Sequence, residues 1–215
     1  MELYLSSYRL GNSQDKLQEW LLNNGNKILV IPNALDMFED NERKMQGILN
    51  KCSDLQKIGF ETEIFDLRKY FGKSEDLYSD IKDYKAFYAL GGNTFVLRTA
   101  MKLSGFDEYL KKISTLPDYL YSGFSAGICV LAKDLHGIDY VDDPHKDPYN
   151  YGEIIWDGVG LIDYMPVPHF DTPSHPESYL MYDVVSYLKE NNLPYITMKD
   201  GDVITVKIDT KVKRV

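Results

Sequence analysis

Gly123-Phe124-Ser125-Ala126-Gly127 sets a serine between two glycines, the spacing of a nucleophile elbow, G-x-S-x-G. The requirement for glycine is steric. The serine must sit on a tight, strained strand-to-helix turn, where flanking side chains would collide. An apolar run at residues 119–124 precedes it and a helix-compatible segment at 126–135 follows, so the context the motif needs is present. At such a turn the amide of Ala126 stands at a helix N-terminus, where developing negative charge is favoured. The same five residues also describe an ordinary glycine-rich turn with a serine cap, so the pentapeptide alone does not decide.

A second glycine turn, Ala89-Leu90-Gly91-Gly92-Asn93-Thr94, follows another expected strand and opens another expected helix. In a parallel sheet both turns lie at the carboxyl ends of their strands, where ligands bind. The Gly92 amide can then pair with that of Ala126 as an oxyanion hole. The competing reading is a phosphate-binding or purely structural turn. The sequence contains neither G-x-G-x-x-G nor G-x-x-x-x-G-K-[ST], which argues against nucleotides.

A serine nucleophile needs a base, and a base needs an acid to orient it. The histidines are His136, His145, His169 and His175. His169 ends a strand-like run, Met165-Pro166-Val167-Pro168-His169, on the same expected edge as Ser125. His145 lies in a polar stretch and, with Asn93, is a candidate substrate contact. His136 and His175 read as surface or cap-region residues. Asp200 follows a short strand at 195–198 and is a candidate acid, although on these residues alone Asp200-Gly201 reads rather as a hairpin turn. Asp139, Asp163 and Asp171 are rival acids.

The elements that would position these residues alternate along the chain. Strands are expected at 2–7, 27–31, 61–66, 85–90 and 118–124, with helices at 15–23 and about 37–58. Residues 137–157, rich in Asp, Pro, Tyr and Gly, form a long excursion of the kind that is usually functional or mobile. Strands at 158–169, 195–198 and 202–208 and a helix at 176–190 complete the pattern. It describes one α/β domain over residues 1–215, a mostly parallel sheet with helices on both faces.

Composition bounds the partners. The formal net charge is −9, which repels a phosphate backbone and makes nucleic acid an unfavourable partner. Cys52 and Cys129 have no close-spaced metal-ligand companions. Sparse cysteine, the lack of a basic-then-apolar leader in MELYLSSYRL and the lack of any long apolar run point to a cytoplasmic chain off the membrane. The 17 tyrosines read mostly as core and surface filler. Oligomeric state is left open, a homodimer included.

In chain order, Gly91-Gly92-Asn93-Thr94, Gly123 to Gly127, Pro168-His169-Phe170 and Asp200-Gly201 resemble the serine peptidase family S51. That family contains aspartyl dipeptidase (peptidase E) and, more distantly, cyanophycinase. The resemblance spans nearly the whole chain. It implies a flavodoxin-like three-layer sandwich, like that of class I glutamine amidotransferases, with a Ser-His-acid triad and neither metal nor cofactor. Carried over, the nucleophile is Ser125, the base His169, the oxyanion amides those of Gly92 and Ala126, and the acid Asp200, at a position the family can fill with glutamate. The implied substrate is a small peptide, Asp-X among the candidates. One departure bears on that choice. No arginine occurs between Arg98 and Arg214, so an aspartate side chain would have to be read by Lys133, Lys146 or His145, none of which offers bidentate geometry. Residues 137–157 are the expected seat of substrate choice.

Two rival readings remain at this stage. An α/β-hydrolase-type esterase runs Ser, acid, His, which would move the acid to Asp139 or Asp163. A non-catalytic binding relative would keep the elbow for structural reasons. An amidotransferase is disfavoured, since the elbow carries serine and Cys129 lies a helical turn beyond it.

Overall fold

The computed structural model describes residues 1–208. Six strands form the main sheet: β1 (Glu2–Ser6), β2 (Lys27–Ile31), β3 (Glu61–Ile64), β4 (Ala86–Ala89), β5 (Leu120–Phe124) and β8 (Val203–Lys207). Their order is β3-β2-β4-β5-β1-β8. All pairings are parallel except that of β1 with the edge strand β8. The run Ile28 to Ile31 has no exposed surface, as a central parallel strand covered on both sides requires.

The period-2 alternation of these strands divides the core in two. Leu3, Leu5, Leu29, Ile31, Phe87, Ala89 and Tyr121 point to one face. That face is covered by α3 (Ser74–Ile81), α4 (Thr94–Ser104), α5 (Phe106–Ile113), the single turn α6 (Ala126–Cys129) and α7 (Met181–Glu190). Tyr4, Ile28, Val30, Tyr88 and Phe124 point the other way, onto Leu17 and Trp20 of α1 (Gln14–Asn24) and Ile48, Cys52 and Leu55 of α2 (Glu42–Lys57). The result is the three-layer sandwich with helices on both faces. Tyr4, Tyr88 and Tyr121 are fully buried in it.

A second, two-stranded parallel sheet pairs β6 (Met165–Val167) with β7 (Tyr195–Thr197), Val167 lying opposite Thr197. Several boundaries differ from the sequence expectation. The helix expected from 37 begins at Glu42, where Asn41 accepts from the Lys44 amide and caps it. Beyond Cys129 the expected helix gives way to turns that bond to residues 156–161. The strand expected over 158–169 survives only as β6. The helix expected from 176 starts at Met181. Asp200-Gly201 does form a turn, closed by the Asp202 amide on the Lys199 carbonyl at 2.9 Å. It is not a hairpin, because β7 and β8 belong to different sheets.

Residues 137–157 are tied down over the start of α4. Asn93 Nδ2 donates to the Asp143 carbonyl, the Thr94 amide to Asp142, the Tyr149 hydroxyl to Asp36, and Arg98 Nε to the Asp157 carbonyl. Arg98 also pairs at 2.9 Å with the buried Asp107.

Candidate active site

Ser125 follows β5 directly, with φ +52° and ψ −123°. A side chain rarely holds such a conformation unless its surroundings impose it. Here the neighbouring β4 imposes it. A Cβ on Gly127 would lie 2.4 Å from the Ala89 carbonyl oxygen, so only glycine lets the turn seat against that strand. The second glycine turn packs beside it: a Cβ on Gly91 would lie 3.0 Å from Ser125 Cβ. Gly92 sits at φ +149°, against the Ala34 carbonyl. Among the described residues, no acceptor takes up the amides of Gly92 or Ala126, and Ser125 Oγ makes no hydrogen bond. A free hydroxyl therefore stands beside two uncommitted donors, the layout an oxyanion hole needs.

His169 lies two residues beyond β6 and Asp200 three beyond β7, so strand pairing brings them together. His169 Nδ1 and Asp200 Oδ1 are 2.6 Å apart. The dyad is fastened to the main sheet by Ser7. The Ser7 hydroxyl accepts from the His169 amide at 2.9 Å and donates to Asp200 Oδ1 at 3.1 Å. Ser7 follows the last residue of β1, and Ser6 is paired with Phe124, the residue before Ser125. Ser7 and Ser125 thus leave adjacent parallel strands, about 4.8 Å apart, at the same edge. Tyr8 continues the link, its ring 6.1 Å from that of Phe124 and 6.0 Å from that of His169. The Thr172 hydroxyl accepts from the Asp200 amide and holds the acid in place.

Burial holds His169 below its usual value of 6.5; the hydrogen bond it donates to Asp200 pulls it back up, and the neighbouring His175 pushes it down again. The imidazole is therefore neutral at physiological pH, the state a base requires. Burial also drives the Cys129 thiol well upward, so it stays a small apolar residue.

The other sequence candidates lie elsewhere. The buried side chain of Asn93 is committed at both ends, to the Val96 amide and the Asp143 carbonyl. Its place is in the cap of α4. His145 is exposed, its amide bonded to Asp143. Asp139 accepts from the Gly137 amide, Asp163 pairs with Lys133, and Asp171 pairs with Lys199. None of the three is the partner of the His169 ring. His136 is paired with Asp134 and stacked on Trp156. Lys146 is exposed, and Arg214 lies outside the described residues.

His175, expected as a surface or cap-region residue, is half-buried against the dyad. Its ring stacks on His169 with centroids 3.6 Å apart and planes 2° apart. Ser7, Tyr8 and His175 were all missed, because nothing local in the sequence marks them. His169, His175 and Glu177 bring ligand atoms within 4.8 Å of one another. They are the residues that could approach a metal ion. Parallel imidazole planes, however, aim their in-plane lone pairs side by side, so one ring would have to turn before both met one ion. On the far side of Tyr8, a cavity of about 580 Å³ opens between α2 and the rim, with Gly91 and Phe124 in its wall.

The model of Peptidase family S51 matches residues 4–214. An uncharacterized peptidase of Listeria innocua is 30% identical over 126 residues, which is 55% of this chain and 57% of that relative's length. Two solved structures share the fold. A putative peptidase E of Listeria monocytogenes superposes with a TM-score of 0.72 at 21% identity, over 97% of this chain and 98% of the other. A peptidase from an acI-B1 Actinobacterium gives 0.64 at 16% identity, over 96% and 83%.

Proposed function

The chain belongs to peptidase family S51, a serine-type peptidase family, and from that premise we propose that it hydrolyses small peptides through Ser125, His169 and Asp200. Ser125 Oγ attacks the peptide carbonyl as His169 Nε2 takes its proton. The oxyanion forms against the amides of Gly92 and Ala126. His169 then protonates the leaving amine, and water, activated by the same ring, releases the acyl group from Ser125. Asp200 fixes the tautomer with the proton on Nδ1 and stabilises the imidazolium. The Ser125–His169 hydrogen bond is made as substrate binds, when catalytic contacts tighten.

The observation that carries this reading is the His169–Asp200 pair, fastened through Ser7 to the strand beside the elbow. Asp200 follows His169 in the chain, an order that disfavours the α/β-hydrolase alternative. Dipeptides and short peptides with free N-termini are the proposed substrates, and the cytoplasm the proposed location. No described helix is long and apolar enough to cross a membrane.

The test is Ser125→Ala. The variant should melt like the wild type, lose labelling by a fluorophosphonate probe and lose nearly all turnover in a dipeptide library. Undiminished hydrolysis by this variant would overturn the assignment.

A further inference from the structure

The cavity beyond Tyr8 has a chemistry that the triad does not use. Its wall is apolar where Leu35, Phe38, Leu90 and Phe124 face it. It is also lined by Arg43, Lys44, Lys51 and Glu39. Lys44 is spoken for, at 2.8 Å from Asp36 and 2.7 Å from Asp40. Arg43 and Lys51 pair with no carboxylate among the described residues. Two cations without a carboxylate partner thus flank one apolar cleft. They suit an anion attached to an apolar group.

The cleft adjoins the proposed catalytic rim through two of its lining residues, although none of Ser125, His169, Gly92 or Ala126 lines it. Gly91, which lines it, lies against Ser125 Cβ, and Tyr8, which lines it, touches both Phe124 and His169. The leaving amine must lie beside the imidazole that protonates it. The residue carried by that amine therefore departs on the His169–Tyr8 side, towards this cleft. In a dipeptide that residue bears the free α-carboxylate. About 580 Å³ is ample for one apolar side chain with its carboxylate.

We propose that this cleft receives the C-terminal residue of a dipeptide with an apolar side chain, and that Arg43 and Lys51 read its free carboxylate. The inference rests on the serine peptidase reading and deepens it: the substrate is selected by its C-terminus. Glu39, on the same rim, repels a second acidic group and so selects against an acidic side chain at that position. Arg43 supplies a planar fork suited to a carboxylate, and Lys51 a mobile point charge.

A carboxylate on the side chain of an N-terminal aspartate is the other source of the same chemistry, and the experiment separates the two. Binding is measured by calorimetry on Ser125→Ala, which holds substrate without turning it over. The probes are Ala-Leu, Ala-Leu-amide and Asp-Leu-amide. Ala-Leu should bind about tenfold or more tighter than either amide, the worth of a charge-assisted contact at a part-exposed site. Adding Arg43→Met and Lys51→Met keeps the apolar stems and should erase that advantage while leaving Ala-Leu-amide binding unchanged. Equal binding of Ala-Leu and its amide, or no binding of Ala-Leu, overturns the proposal. So does tighter binding of Asp-Leu-amide than of Ala-Leu, which would assign the cleft to a side-chain carboxylate. Fluorophosphonate labelling of the wild type tests Ser125 separately, so failure of the cleft and failure of the peptidase reading are told apart.

Discussion

Replacing Asp200 by asparagine removes one negative charge from the His169 dyad and almost nothing else. The amide is isosteric, and the main-chain bond from Asp200 N to the Thr172 hydroxyl does not depend on the side chain. Two costs follow. The hydrogen bond to Nδ1 ceases to be charge-assisted, which is worth about 1–2 kcal/mol, or about 5- to 30-fold in rate. The second cost depends on which way the amide faces. If its nitrogen faces His169, the ring must carry its proton on Nε2 and cannot accept from Ser125. That wrong-tautomer outcome costs up to about 10⁴-fold. The structure decides between them through Ser7. Its hydroxyl donates to the same oxygen that faces His169, at 3.1 Å, against 3.4 Å to its alternative acceptor, the Met198 carbonyl. An asparagine is therefore held with its oxygen towards Ser7 and His169, and the tautomer survives. The expected loss in kcat is about 5- to 30-fold, with KM little changed. The acidic limb of kcat/KM should move to lower pH, because the upward pull of Asp200 on the imidazole is gone while the downward push of burial remains. A pH–rate series on one dipeptide reads both quantities. A loss under about threefold, or a limb displaced upward, would refute the reasoning.

Two further perturbations probe the surroundings. Ser7→Ala leaves the buried His169 amide without an acceptor and should cost about 1–3 kcal/mol in denaturant unfolding; combined with Asp200→Asn it frees the amide to flip, so the double variant should lose far more activity than the product of the two single losses. Asp142 is pushed up to about 7, chiefly by burial and against the opposing bond from the Thr94 amide. Its folded form thus holds a proton that the unfolded chain gives up near 3.8, and stability falls as pH rises between those values. Asp142→Asn keeps an acceptor for Thr94 and removes the penalty, trimmed by solvent at this half-exposed residue. It should add about 1–2 kcal/mol at pH 8 and nothing below pH 3.8, as followed by thermal melts across that range.

The parts of this molecule that the sequence disclosed are those written in consecutive residues. The apolar runs of β2, β4 and β5 and the two glycine turns each carry a local signature, and each lies where it was expected. The strand expected over 158–169 failed for a reason no periodicity reports. Gly158 backs onto the Ala132 carbonyl at 2.0 Å from where a Cβ would stand, and the Val159 amide is spent on the Val130 carbonyl. The segment is committed to a loop rather than to a ladder. Ser7 reaches His169 across 162 positions and Asp200 across 193, so its role exists only once β1 lies beside β5. The cations of the cleft belong to α2, and Gly91 of its wall follows β4. Only the layering of helix on sheet makes them one surface. Asp200-Gly201 read as a hairpin because the dipeptide reports the turn and not which strands flank it.

The imidazole and its carboxylate ride on paired strands of one small sheet, whereas the hydroxyl belongs to another. Vibration within the β6–β7 ladder carries both members of the pair along together, so their mutual alignment is insensitive to it. The separation between the pair and the serine is set across the two sheets, where the Ser7 hydroxyl meets both members of the pair and Met165 and Val167 pack into the large core. Drift in sequence across the large core can thus retune how closely base approaches nucleophile without ever disturbing how the base is aimed.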